Sequence, residues 1–125
     1  MIFINKVEPP TVLLVDADFE QCRTSKSELE SQGYKVVCAH SGEEAFITFA
    51  HKKFDAIVVE AFLPDMHVLD FVDEIAAKKR NRKIPIIINE ACPTYRHNFR
   101  YWAADAIIEK TTTGKNHFAP IAALL

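Results

Sequence analysis

The stretch that decides the fold is FDAIVVEAFLPDM, residues 54–66. Within it DAIVV, 55–59, is an apolar, β-branched run that stops at a carboxylate, Glu60, and Pro64 then marks a turn. A run with no polar alternation predicts a strand covered on both faces, as in a parallel sheet. The pattern recurs in TVLLV (11–15), YKVVCA (34–39), IIIN after Pro85 and AIIE (106–109).

Helical periodicity fills the gaps between these runs. Asp18 with Gln21 reads as a cap pair opening a helix that reaches Gln32, with Phe19, Cys22 and Leu29 on one side and Gly33 as its C-cap. Ser41 and Glu44 form a capping box, followed by Ala45, Phe46, Phe49 and Ala50 facing inward. From Val68 to Arg80 one stripe carries Val68, Leu69, Val72, Ile75 and Ala76. The basic end of that helix, KKRNRK (78–83), reads as a solvated terminus favoured by the helix dipole. A short helix is expected over 94–103, carrying Tyr95, Phe99 and Trp102, and a last one over most of HFAPIAALL, where Pro120 either sits awkwardly inside it or marks its start. Residues 1–10, ending in two prolines, read as a leader, and 11–125 as one domain. Alternating strands and helices with right-handed crossovers predict an α/β fold: a doubly wound, five-stranded parallel sheet in the order 2-1-3-4-5, flavodoxin-like, in three layers.

Bulk properties narrow the function. At 125 residues, about half apolar, the chain can bury a core as a single domain. A net charge of -2 gives no attraction to nucleic acid or anionic lipid, so neither is expected as a partner. No apolar run approaches the roughly 20 residues of a membrane span, and the start has no secretory pattern. Cys22, Cys38 and Cys92 show neither C-x-x-C nor zinc spacing and read as free thiols of a cytoplasmic protein. With only three glycines, no loop can cradle a nucleotide, and the acidic DADFE (16–20) opposes a flavin phosphate.

In open parallel sheets the working groups lie beyond the carboxyl ends of the strands. That rule selects Asp16 and Asp18, Glu60, Glu90 and Lys110, with Lys110 the cation that holds the acids together. His40, His51, His67, His97 and His117 show no ligand spacing with an acid or thiol, and Cys92 reads as a loop thiol.

LLVDAD (13–18), SGEEA (41–45), FDAIVVEAFLPDM, IPIII (84–88) and ADAIIEK (104–110), in that order and spacing, give the chain a resemblance. From Thr11 to Pro120 it resembles the receiver (CheY-like) domain of two-component response regulators. The resemblance implies that Asp16 is the first acid of the family's metal-binding pair, whose second member falls on Ala17. The phosphoacceptor aspartate falls on Glu60, and the main-chain metal ligand on the carbonyl of Phe62. The family's Ser or Thr after strand four falls on Glu90, its lysine on Lys110, and the proline after it on Thr111. The aspartate and glycine of the turn after strand three fall on His67 and Val68, and the aromatic switch on Ile107.

The scaffold is thus kept while most of the reaction centre is altered. Aspartyl phosphorylation is in-line attack on phosphorus with Mg²⁺ holding the outer oxygens. A glutamate moves the nucleophile outward by roughly 1.5 Å, one carbon–carbon bond, and a carboxylate at Glu90 crowds the phosphoryl oxygens. The expectation is a pseudo-receiver, not an enzyme, that signals through protein–protein contacts with little or no phosphorylation. Glu60 either imitates the phosphorylated state by reaching Lys110 or is a residual salt-bridge partner. Mg²⁺ binding at Asp16, Glu60 and Phe62 is expected to be weak. Expected partners are other proteins or a fused output domain, this chain being either a standalone protein or the N-terminal part of a longer regulator. The family's face of fourth helix, fifth strand and fifth helix makes dimers or meets an output domain, and the aromatics here fit either that use or a plain core. Two alternatives stay open: a true phosphoacceptor using Mg²⁺ and a carboxylate near Glu60, and a small flavodoxin-like enzyme.

Overall fold

A computed structural model describes residues 8–90, 104–109 and 118–125. Its strands are β1 (Thr11–Val15), β2 (Lys35–Ala39), β3 (Ala56–Glu60), β4 (Ile86–Glu90) and β5 (Ala106–Glu109). They form one parallel sheet in the order β2-β1-β3-β4-β5, as the sequence predicts. The helices are α1 (Phe19–Ser31), α2 (Gly42–His51), α3 (Val68–Lys79) and α4 (Ala119–Leu124). The helix expected over 94–103 lies outside the described residues.

Alternate residues of each strand feed two cores. Leu13, Val15, Ile57, Val59, Ile86 and Ile88 meet Ala45 and Phe49 of α2 and Val68, Leu69, Phe71, Val72 and Ile75 of α3. Val12, Leu14, Val58, Ile87 and Ile108 point the other way, against Cys22 and Leu29 of α1 and Phe118 and Ile121. Strands that are apolar at every position are therefore the consequence of helices on both faces.

Several local expectations change. Phe19 is not inward: as the first residue of α1 it projects past the sheet, 70% exposed, and stacks on His40 with ring centroids 3.8 Å apart. Ala50 is exposed, because the inward arc of α2 is narrow and is filled by Gly42, Ala45 and Phe49. Phe71, absent from the expected stripe, is fully buried. The basic end of α3 is exposed, as expected, at Lys78 and from Arg80 to Lys83, with Lys79 the exception. Lys79 Nζ donates to the Ile84 carbonyl at 2.9 Å and lies 3.9 Å from Asp105, while Arg82 sits over the Phe49 ring.

Helix ends follow the sequence closely. The Gln21 N–H donates to Asp18 Oδ1 at the start of α1, and Gly33 past its end takes φ 94, where a side chain would be strained. Ser41 Oγ accepts from the Glu44 N–H, and the return bond of that box goes to the His40 N–H. Pro120 lies in the first turn of α4.

One contact holds the loop after β3 against α2. Asp65 accepts the N–H groups of Gly42 and Glu43, both at 2.9 Å, at the positive end of the α2 dipole. Gly42 lets the segments close up, since a Cβ there would lie 2.6 Å from Met66. Partial burial opposes ionisation of Asp65, but the amides of Glu43, Gly42 and its own residue outweigh it and hold the carboxyl below its ordinary value. A lowered folded-state pKa gives stability that is complete above the unfolded value, near 4, and lost as pH falls through the folded one. Asp65→Asn, which removes the charge at the helix start and turns one accepting oxygen into a donor, should cost about 1 kcal/mol at pH 7. In urea unfolding at stepped pH, the gap between variant and wild type should shrink below pH ~4. A gap independent of pH would show that the ionised carboxylate is not what closes this contact.

Candidate functional site

At the carboxyl end of the sheet the chain must leave three adjacent strands while satisfying the backbone groups it exposes there. The register Val15↔Val59 brings Asp16 level with Glu60, and Glu60 pairs with Asn89 on its other side. Three acids then complete the β1–α1 loop. Asp16, 2% exposed, accepts the Asp18 N–H at Oδ1, 3.0 Å. Asp18 in turn caps α1 at Gln21. Glu60 reaches across from β3 to accept the Ala17 N–H at Oε1, 2.7 Å. That length is at the short end for an N–H to a carboxylate, as a charge-assisted bond should be.

His40 closes the loop from the β2 side. Its Nδ1–H donates to the Asp16 carbonyl at 2.9 Å, and the Ala39 carbonyl accepts the Asp16 N–H at 2.9 Å. The sequence offers no spacing that picks His40 out; only the β1–β2 register brings it beside Asp16. His67 has a role beyond that of an exposed turn residue, for its Nδ1 accepts the Leu69 N–H and caps α3. Phe62, whose carbonyl is the expected main-chain ligand, is 64% exposed and lies in an isolated bridge with His67.

The structure thus brings together Asp16, Asp18 and Glu60 around one loop, each with an oxygen on a backbone amide. Glu90 ends β4, one residue past the partner of Glu60. Lys110 and its expected contact with the glutamates lie outside the described residues, as do Cys92, His97, Thr111 and His117. Among the described residues no three His, Cys, Asp or Glu side chains gather as a metal group. No described helix is long and apolar enough to cross a membrane.

A family model described as the response regulator receiver domain matches residues 12–118. The chain belongs to the response regulator receiver family. Solved structures agree over nearly the whole receiver. It resembles the response regulator protein TrrA of Thermotoga maritima, in complex with Mg²⁺–BeF, at 28% identity and a TM-score of 0.85, covering 93% of this chain and 99% of that one. The same regulator in complex with the histidine kinase ThkA gives a TM-score of 0.83 at 28% identity, covering 93% and 98%. Among curated proteins the receiver is 32% identical over 80 residues to the transcriptional regulatory protein ZraR of Salmonella typhimurium, 64% of this chain and 18% of that protein. The ZraR of Klebsiella oxytoca is 27% identical over 107 residues, 86% and 22%. The chain spans about a fifth of the length of these curated relatives. Receivers of this family are signalling modules rather than independent enzymes.

The Glu60 bond makes a definite stability statement. Glu60→Ala leaves the half-buried Ala17 N–H without its acceptor and should cost about 1.5–3 kcal/mol in urea unfolding. It should also speed hydrogen exchange at the Ala17 amide. Glu60→Gln, which keeps an acceptor but no charge, should fall between. A loss under about 0.5 kcal/mol for the alanine variant would mean that the contact contributes little.

Proposed function

We propose that this receiver works in a fixed state, signalling through protein contacts with little or no phosphorylation. The carrying observation is the 2.7 Å bond from the Ala17 N–H to Glu60. Glu60 stands at the position the family reads as phosphoacceptor, and its carboxylate is turned onto the β1–α1 loop. That amide belongs to the residue where the family places a second metal-binding acid. Alanine there removes a ligand, and the longer glutamate occupies the backbone group left behind. The resulting arrangement is closed without phosphate.

Mg²⁺ fits poorly. It demands near-ideal octahedral oxygens at about 2.0–2.1 Å, whereas Asp16 and Glu60 each have an oxygen on a loop amide. With Phe62 they make an incomplete set, so affinity should be millimolar or weaker. The Mg²⁺–BeF complex of TrrA marks the contrast with a relative.

Protein contacts are supported by the surface around this end of the sheet, where Phe19 and Phe62 are both well exposed. TrrA is captured with a histidine kinase, so kinase-like proteins are one partner class. A fused output domain is another, since the relatives are several times longer. Dimerisation through the face that includes β5 stays part of the reading, with Glu90 and Lys110 as supporting residues of the altered site.

Incubation with acetyl phosphate and Mg²⁺ should give no mass increase of about 80 Da, one phosphoryl group. Glu60→Asp alone should label poorly, because Ala17 and Glu90 are unchanged. The triple variant Ala17→Asp, Glu60→Asp, Glu90→Thr should regain measurable labelling. Ready labelling of the wild type would overturn the proposal, and calorimetry showing micromolar Mg²⁺ affinity would overturn the weak-metal part.

A further inference from the structure

We propose that the groove between the C-terminal ends of α2 and α3 is a docking site for an acidic peptide segment of a partner protein. The two helices finish next to each other where the chain returns to the starts of β3 and β4, the end of the sheet away from Glu60. Between them is a groove of about 690 Å³. Lys52 and Lys53 line it from the end of α2, and Lys78, Arg80 and Arg82 from the end of α3. Its apolar lining is Phe46, Ala50 and Ala77, with the buried Phe49.

Helix ends alone do not account for this charge. A helix C-terminus carries about half a negative charge, so the two that meet here call for about one cation. Glu74 lines the groove as well and engages a second, Lys78 at 4.0 Å. A surplus of about three positive charges is left. Lys52, Lys53, Arg80 and Arg82 take part in none of the ion pairs among the described residues. Lys79, by contrast, is committed to the Ile84 carbonyl and Asp105. In a chain of net charge -2 such a concentration of unpaired cations is local, and it complements a ligand that carries carboxylates.

Arg80 holds its place against the backbone. It caps the end of α3 with φ 54 and ψ -124, and among the described residues no other non-glycine has a positive φ. A side chain is strained there and glycine is not. The turn is closed by the Arg80 N–H on the Ala77 carbonyl at 3.3 Å and the Arg82 N–H on the Lys79 carbonyl at 3.1 Å. It brings the Arg82 guanidinium to 5.2 Å from the centre of the Phe49 ring.

The rings decide the kind of anion. Phe46 stacks on Phe71 at 5.2 Å and has Lys78 Nζ 5.3 Å from its centre. Phe49 stacks on Phe54 at 6.2 Å and lies under Arg82. With an aromatic neighbour and a cation on each, neither ring offers a face on which a nucleic-acid base could stack. What the groove does offer is a strip of exposed Ala50 and Ala77 edged by cations. A peptide with an apolar residue between carboxylates matches that pattern: the apolar side chain enters the strip and the carboxylates meet the lysine and arginine heads. The groove shares no residue with the loop around Glu60, so docking here stands apart from the fixed-state reading.

The test is fluorescence anisotropy of the full chain with a fluorescein-labelled peptide of glutamates flanking a single leucine. Binding is expected with a Kd on the order of 10⁻⁵ M, weakened several-fold by added sodium chloride. Replacing the peptide's leucine by serine should weaken it about threefold. The double variant Lys52→Glu, Lys53→Glu should weaken it about tenfold or more, while Lys26→Glu, on α1, should leave it unchanged. Arg80→Gly should raise the urea midpoint and yet loosen the peptide, a split that a purely structural arginine would not produce. Should the double variant unfold, Arg80→Gly remains the deciding protein. No anisotropy change up to millimolar peptide, an equal loss from Lys26→Glu, or tighter binding of a labelled oligothymidine of the same charge overturns the proposal.

Discussion

Everything in this domain is built around β1, a strand with neighbours on both edges and helices on both faces. Val12, Leu13 and Val15 have no exposure at all. Its ladder takes care of its own backbone groups, but where it ends the chain turns into α1, with Asp16 buried, Ala17 half-buried and Asp18 and Gln21 exposed. The amides of Ala17, Asp18 and Gln21 lie past the ladder, and a buried amide left without an acceptor costs on the order of 1–3 kcal/mol. They find Glu60, Asp16 and Asp18. What looks like a cluster of acids awaiting a cation is, in large part, the termination of the central strand.

On the proposed reading, that double use would let a receiver keep its fold with an altered reaction centre. The acids at Asp16 and Glu60 lie where the sheet demands acceptors regardless of function. On that reading, an alanine at position 17 in place of an acid leaves the structural demand unchanged, and a glutamate at the end of β3 meets it from the neighbouring strand. Fold and reaction centre share residues here, but they are not the same constraint.

The sheet was legible because each strand is an unbroken apolar run bounded by acids, prolines or capping residues, and the order follows from the handedness of the crossovers. Helix ends were legible through local chemistry: Asp18, Ser41, Gly33 and Pro120 act within a few residues of themselves. What could not be read was anything set by the lateral register of strands. His40 beside Asp16 and Asp65 beside Gly42 join residues more than twenty positions apart with no periodic trace. Phe19 misled for a different reason, since helical spacing says which side a residue is on but not that the sheet beneath it has ended. At the site, Asp16, Glu60 and Asp18 were found in the sequence, yet their hydrogen-bond partners are backbone groups, which have no sequence signature.

The smallest helix has a consequence for motion. α4 has six residues and no side-chain cap, far short of what persists alone in water. It exists because Ile121, with Phe118 just ahead of it, is seated in the α1-side core. Docking and helicity are therefore one event: the segment is either wound and seated or unwound and free. It forms a natural first unit of local opening, whose release would loosen the core on the α1 face around Phe118 and Ile121 while the layer under α2 and α3 stayed closed.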